Sequence, residues 1–522
     1  MTSQRGYGPA VVTPHILATQ AGMKVMAQGG NAADAMVAAN SVLGVVAPET
    51  CGIGGDLFAL VHRPGMDAPD ALNASGRAGS GVDPESLVAQ GHQQMPPFDP
   101  QSVTVPGCVD GWDMLLARYG SLPLAEILQP SLRLAREGFP ASTELTRALA
   151  AQQQTLAPQS AAEGLYPGGK PPAVGDRLFR PGLFRTLSAI AQDGKPAFYR
   201  GAVAAAISEA TGGVITPTDL AGCQGEWVDP ISTNVFGLTG WTVPPNSQGY
   251  LTLAAARAFE LLDPPLDPES AESWHLAIEA YRVMAYDRDE VLSDPVIAPQ
   301  SAKELVDEGR IKARASLIDP HNASQRVAPA PLPSGTAYLC AVDAAGMGVS
   351  FIQSNFMGIG SRIGAAEAGF FLHNRGAGFD LRPGHPNRLA PGRRPLHTLS
   401  PSLWTRGNNL AAVLGTRGGD YQPQLLLQMA IRLFSAGVEP GAAQSRARWM
   451  IDAFAAPHPT VAVEAHTPPA IVAGLRERGH RVEVREEVQH GWGPVSVITV
   501  DERDLRTAAA DPRTDTAAAA VA

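Results

Sequence analysis

A threonine set where a turn of small residues runs into a strand is the feature that most limits how this chain can fold. The stretch Pro333-Ser334-Gly335-Thr336-Ala337-Tyr338-Leu339-Cys340-Ala341-Val342-Asp343 places Thr336 at the head of a β-type run. The turn Asp343-Ala344-Ala345-Gly346 leads into a second run, 349–354, so the two are predicted to form a hairpin. A cut between Gly335 and Thr336 would give one residue both a nucleophilic hydroxyl and a free α-amine. A hydroxyl attacks poorly until a base takes its proton, and an N-terminal amine is such a base. Its ordinary pKa of about 7.7–8.0 lies close to where a general base works best. The alternative for Thr336 is a structural residue that opens a strand.

Downstream, Leu414-Gly415-Thr416-Arg417-Gly418-Gly419-Asp420 closes a strand and opens a helix-like run at 424–430. Two glycines at a strand-to-helix turn expose consecutive backbone N–H groups, which suits an oxyanion hole. Read alone, the same pair is a plain glycine turn.

Further motifs follow in a fixed order. They are Gly29-Gly30-Asn31-Ala32-Ala33-Asp34-Ala35, Cys51-Gly52-Ile53-Gly54-Gly55-Asp56-Leu57-Phe58, Val105-Pro106-Gly107, Tyr119-Gly120, Glu279-Ala280-Tyr281-Arg282, Asp287-Arg288 and Asp294-Pro295. In this order the chain resembles the γ-glutamyltransferase family of N-terminal nucleophile hydrolases, from about residue 8 to 500. The resemblance implies an α+β fold, a four-layer αββα sandwich made as a precursor that cleaves itself. Residues 1–335 would form the large subunit and residues 336–522 the small one, within one globular unit. It also assigns roles: Thr336 as nucleophile, Ser354 as a supporting hydroxyl, and Gly418 and Gly419 as oxyanion hole. The reaction implied is acyl transfer from an amide.

The substrate pocket departs from the family pattern. Ser75 stands where γ-glutamyl enzymes carry an Arg for the donor's α-carboxylate, and Arg77 lies two residues on, within reach only of a rebuilt loop. Phe356, Arg375 and Gly378 replace the Asn, Gln and Asp that meet the α-amino group. His397 and Thr398 replace two carboxylate-binding serines. An ammonium facing Arg375 would be repelled and left unpaired in a partly desolvated site. An anionic acyl group would instead be gripped through two parallel hydrogen bonds. Two other roles stay open: Arg375 pairing with an internal acid such as Asp380, and His397 serving the fold. The short 379–395 segment implies a trimmed lid. The pattern lies nearer the family's oxamate amidohydrolase branch than its glutathione-processing members.

Composition excludes other classes. The net charge of −10 offers no basic stripe for nucleic acid or an anionic membrane. No run approaches the ~20 apolar residues of a membrane helix. The opening residues Met1 to Gly8 have no apolar run of signal-peptide length, which points to the cytoplasm. Cys51, Cys108, Cys223 and Cys340 show no paired spacing, so neither metal nor disulfide is expected, and no cofactor motif appears. Cys340 shares the nucleophile's strand face and is expected in the core. Helices are predicted at 32–46, 122–137 and 183–193, loops at 89–100, 153–178 and 318–335, and a β-α-β-β unit over 460–500. The Ala-rich residues 507–522 are expected to be a disordered tail.

Three readings result. The first is a self-processing amidohydrolase for a small acidic amide without an α-amine, with water as acceptor. The second is a γ-glutamyl hydrolase or transferase, and the third a non-enzymatic binding protein on the same fold. A homo-oligomer is compatible with each.

Overall fold

The predicted hairpin forms the centre of the molecule. Strands Gly335–Val342 and Gly348–Phe356 pair antiparallel. Asp343 holds their turn, its Oδ1 accepting from Ala345 N and Met347 N at 2.9 and 3.0 Å. The computed structural model describes residues 3–223, 225–324, 335–452, 459–486 and 491–522. Ten residues of the predicted processing segment, 325–334, lie outside that set.

Two seven-stranded sheets stack face to face. The first runs in space as Ala518–Val521, Ala10–Thr13, Gly335–Val342, Gly348–Phe356, Asp56–His62, Asp70–Ala74 and Glu226–Val228. The second runs as Gln4–Gly6, Arg506–Ala510, Val495–Val500, Asn409–Thr416, Ser402–Arg406, Leu238–Thr242 and Ile231–Val235. Because side chains alternate along a strand, each sheet has two apolar faces. Phe58, Tyr338, Cys340 and Ile352 meet Leu403, Val413 and Ile498 between the sheets. Leu57, Leu339 and Phe351 face outward onto helix Ala32–Val46, and Trp404, Leu414 and Val497 onto helices Tyr250–Glu260 and Ala271–Ala285. The result is the four-layer αββα sandwich.

Helix Ala32–Val46 is buried along its whole length, which its small residues permit. Asn31 starts it with a capping box: its side chain accepts from Ala33 N and Asp34 N, and Asp34 accepts from Asn31 N. Ala32 N donates to Asp343 Oδ2 at 3.1 Å, so the hairpin turn docks on the helix's positive end.

Two expectations need correction. The segment 122–137 is two helices, Leu124–Ile127 and Gln129–Glu137, because Pro130 cannot supply the N–H that would continue the first. Residues 507–522 are not a disordered tail. Arg506–Ala510 pairs with Val495–Val500, and Ala518–Val521 pairs with Ala10–Thr13. Gly8 N donates to Ala522 O at 3.0 Å. Alanine shows no polar–apolar alternation, so this strand pattern is silent in sequence even though Ala508 lies fully buried between the sheets.

Strands from either side of Thr336 are hydrogen-bonded to each other in both sheets, Cys340 to Val12 and Gln4 to Ala508 among them. Truncation after Asp515 would bare the Ala10–Thr13 edge, a template for aggregation. It should lower the melting temperature by at least about 3 °C. Differential scanning fluorimetry checks this, and an unchanged melt would contradict the structural role given to that strand.

Candidate active site

The hairpin is irregular at one point. Gly335 pairs with Phe356 and Ala337 with Gln353, so Ser354 and Asn355 together stand opposite Thr336. Such a bulge re-aims a side chain, and here it turns Ser354 onto Thr336. Thr336 Oγ1 donates to Ser354 Oγ at 3.2 Å, and Ser354 Oγ donates to Gly335 O at 2.6 Å. The same Ser354 oxygen accepts from Phe356 N at 2.7 Å. One hydroxyl therefore holds both the Thr336 hydroxyl and the carbonyl of Gly335. A Cβ at Gly335 would stand 2.6 Å from Glu49 O, so only glycine fits before Thr336.

The glycine-rich loop 51–55 packs against this hairpin. Gln353 binds Gly52 through both backbone groups at 2.8 Å. A Cβ at Gly55 would lie 2.2 Å from Ser354 O, which explains the bare backbone there. The loop delivers Asp56, the cross-strand neighbour of Ser354.

Asp56 engages His397, whose predicted place in a substrate clamp is corrected. His397 is fully buried; its Nε2 donates to Asp56 Oδ2 at 3.0 Å and its Nδ1 accepts from Leu399 N at 3.3 Å. Burial, helped by the nearby Arg375 cation, pushes the imidazole down to about 3. Burial alone would raise Asp56, yet His373 and His397 hold its carboxyl at about 2. The pair is thus a carboxylate and a neutral imidazole at neutral pH, with Gly76 N donating to Asp56 Oδ1 at 2.9 Å.

Arg375 is fully buried, its guanidinium 3.9 Å from the centroid of the Phe356 ring. Nη1 donates to Thr398 Oγ1 at 3.1 Å, while Nε and Nη2 have no hydrogen-bond partner. Burial lowers the guanidinium to about 10, which still leaves it charged at neutral pH. The alternative pairing with Asp380 does not occur: Asp380 is bound by Arg382 Nη2 at 2.8 Å. Phe356 carries a strained backbone, φ 71°, that sets its ring under the cation.

Phe356 and Thr398 line a cavity of about 310 Å³, together with Arg288, Asp420, Phe379, Leu381, Asn387 and the loop Gln93, Gln94, Met95 and Pro97. Arg288 and Asp420 form a buried ion pair, and Arg288 Nη1 also donates to Gln248 Oε1 at 3.0 Å. Gln248 Nε2 donates to Thr398 O and Gly419 O at 3.1 and 2.9 Å, tying the glycine pair to the Arg375 site. Gly418 and Gly419 both have positive φ, 125° and 55°. Gly378 joins the same lining.

Ser75 and Arg77 are not brought to this place. They line a separate cavity of about 420 Å³, and Arg77 is spent on Asp294 and Glu226 at 3.1 and 3.0 Å. The 379–395 segment walls the cavity of about 310 Å³, with the 93–97 loop opposite. Sequence reasoning missed that loop, Gln248 and the Arg288–Asp420 pair. In sequence Asp287-Arg288 is only a short motif, because the partner of Arg288 lies 132 residues away.

His275, Glu279 and His480 form the one group with metal-ligand potential among the described residues. Its imidazoles are hydrogen-bonded to each other at 2.7 Å, and Glu279 is bound by Arg282 at 2.7 Å. No helix of the described residues is long and apolar enough to cross a membrane.

A family model described as Gamma-glutamyltranspeptidase matches residues 18–521. The chain belongs to the γ-glutamyltranspeptidase family. It is accordingly an enzyme of the hydrolase/acyltransferase class. The glutathione hydrolase-like YwrD proenzyme of Bacillus subtilis (strain 168) is 35% identical over 520 residues, covering 98% of each chain. The oxamate amidohydrolase proenzyme of Klebsiella pneumoniae subsp. pneumoniae is 33% identical over 519 residues, 97% of each. The crystal structure of cephalosporin acylase from Bacillus halodurans superposes with a TM-score of 0.93 at 32% identity, covering 100% of this chain and 97% of that one.

Burial also pushes His15 down to about 4 and His480 to about 2, so with His397 three imidazoles resist protonation in the folded state. The unfolded chain binds those protons near pH 6.5. Stability should therefore be full above about pH 6.5 and fall progressively below it. Melting curves from pH 7.5 to 4.5 check this, and His397→Gln should flatten part of the decline.

Proposed function

We propose that this member of the family is a self-cleaving amidohydrolase acting on a small amide whose acyl part carries a carboxylate and no α-amine, as oxamate does. Cleavage between Gly335 and Thr336 would free the α-amine. Thr336 Oγ1 then attacks the amide carbonyl while that amine takes its proton. The N–H groups of Gly418 and Gly419 hold the oxyanion, Ser354 steadies the nucleophile, and an acyl-Thr336 ester forms as the amine leaves. Water returns the acid. The interleaved sheets keep residues 1–335 and 336–522 together afterwards.

The observation that carries the substrate class is Arg375. A buried guanidinium with two N–H groups lacking partners leaves their hydrogen bonds unmade, and a carboxylate supplies both. Thr398 orients it from one side and the Phe356 ring from below. A cavity of about 310 Å³ is at the small end of ligand sites. The oxamate amidohydrolase relative agrees with this chemistry.

A second reading, γ-glutamyl transfer or hydrolysis, draws on Asp420, a carboxylate in the cavity wall that an α-ammonium could approach. Arg288 already neutralises it, which favours the first reading.

Intact mass separates the chemistry from the fold. The wild type should give two fragments, the smaller beginning at Thr336, and Thr336→Ala one unbroken chain. Among substrates, oxamate-type amides should be turned over and a γ-glutamyl anilide barely at all; the reverse result selects the second reading. Arg375→Gln should raise KM for the acidic amide at least tenfold, the loss of one charged hydrogen-bond pair at about 1.4 kcal/mol or more.

A further inference from the structure

Gly418 and Gly419 carry no side chains, so nothing of their own steers the two N–H groups proposed to hold the oxyanion. Glycine is also the residue with the widest backbone freedom. The direction of those groups must be set by what grips the chain on either side. After the pair, Asp420 is ion-paired with Arg288, and Gln248 Nε2 donates to Gly419 O at 2.9 Å. Before the pair stands Arg417, which has no part in the acyl-transfer chemistry above.

Arg417 is buried and held on every side-chain nitrogen. Its Nη1 and Nη2 donate to Glu144 Oε2 and Oε1, both at 2.7 Å, and its Nε donates to Gly493 O. Two parallel bonds between a planar guanidinium and a carboxylate fix direction as well as distance. The peptide is held too, with Thr416 Oγ1 donating to Arg417 O at 2.8 Å and Arg417 N to Pro494 O at 3.4 Å. A Cβ on Gly418 would stand 3.2 Å from Gly491 O, so the turn packs on the same stretch of chain that Arg417 grips.

Glu144 is itself well seated. It lies in the first turn of helix Thr143–Ala151, which Ser142 caps by accepting from Leu145 N at 3.1 Å. A helix N-terminus favours a carboxylate, and Thr514 Oγ1 donates to Glu144 Oε1 at 3.4 Å. The fork therefore joins a capped helix in residues 1–335 to the residue before the glycine pair, 273 positions away. With Arg288 and Gln248 on the other side, residues 1–335 hold the turn at both ends. Neither Arg417 nor Glu144 is among the described residues that line the cavity of about 310 Å³, so the pair acts through the backbone.

We infer that Glu144 is a positioning residue for acyl transfer: through its fork on Arg417 it fixes the direction of the Gly418 and Gly419 N–H groups. This rests on the reading of those glycines as the oxyanion hole, and it holds for an acidic amide and a γ-glutamyl amide alike. The oxyanion exists only while the carbonyl is under attack, so the fork serves the rate and leaves substrate binding to the cavity. Glu144 neutralises the guanidinium beside it, so what the pair supplies is geometry rather than net charge.

The test is steady-state kinetics on self-cleaved enzyme, its cut verified by intact mass, with oxamate or a γ-glutamyl anilide, whichever the wild type turns over. Glu144→Gln keeps the shape but offers the fork only one acceptor. It should lower kcat about 10- to 100-fold with KM within about twofold, the mark of an interaction made only in the transition state. Arg417→Lys should lose as much, because an ammonium keeps the charge and cannot fork. The double variant should be no slower than Arg417→Lys alone, since both changes break one contact. Wild-type kcat in Glu144→Gln would overturn the proposal, as would wild-type kcat in Arg417→Lys, which would make charge the cause. So would a KM that rises in step with the fall in kcat, which marks a loosened pocket, or a Glu144→Gln chain that stays uncut, which places the fork's role before turnover. Gly418→Ala tests the underlying reading separately, because its Cβ crowds Gly491 O and the turn must shift. Wild-type kcat in that variant, or a wild type that turns over neither amide, would remove the oxyanion hole itself.

Discussion

One hydroxyl organises the proposed catalytic centre. Ser354 accepts from Thr336 and Phe356 and donates to Gly335, and it does so only because an extra residue in its strand turns it toward Thr336. Without the bulge, strand alternation would place one residue opposite Thr336 and the carbonyl of Gly335 would lose its donor. The bulge also sets Phe356 at the strand's end with a positive φ, and its ring then supports Arg375. The proposed nucleophile, scissile bond and carboxylate clamp are therefore consequences of a single register change in one hairpin.

Holding that hairpin requires the layers around it. Helix Ala32–Val46 receives the turn at its N-terminus, the glycine-rich loop fits only because Gly55 has no side chain, and Gln353 pins the loop at both backbone groups. Behind the site, charge is arranged with economy. Asp56 supplies a negative charge near Arg375 but gives its oxygens to His397 and Gly76, leaving two guanidinium N–H groups unmade. A carboxylate placed directly on Arg375, as Asp380 is on Arg382, would have taken the hydrogen bonds that the proposed acidic substrate is to make.

Much of this is legible in the chain. The hairpin, the capped helix, the glycine turns and the order of short motifs follow from local rules: turn residues, capping chemistry and alternation of side chains. Thr336 and Ser354 were identified as partners, and the structure places them in hydrogen-bond contact. Where local rules failed, the cause was non-local. His397 looked like a pocket residue, yet its fate depends on Asp56, 341 residues away. The alanine strands at the C-terminus have no amphipathic signature, so only the bare edge of Ala10–Thr13 reveals why they order. The Gln93–Pro97 loop reads as generic surface until the fold sets it across a cavity from the 379–395 segment.

By itself, then, the sequence determined the family and the layer architecture, and it singled out Thr336 as the proposed nucleophile and Arg375 as the proposed carboxylate clamp, because each is written in residue type and short spacing. Tertiary structure alone decided which of the candidate cations stays available. Arg77 is consumed by Asp294 and Glu226, His397 by Asp56, and Arg375 is left with unmade hydrogen bonds. That sorting is set by which charges the folded chain brings within about 3–4 Å of each other, a distance over which Coulomb attraction and hydrogen bonding are strong and which no linear pattern encodes.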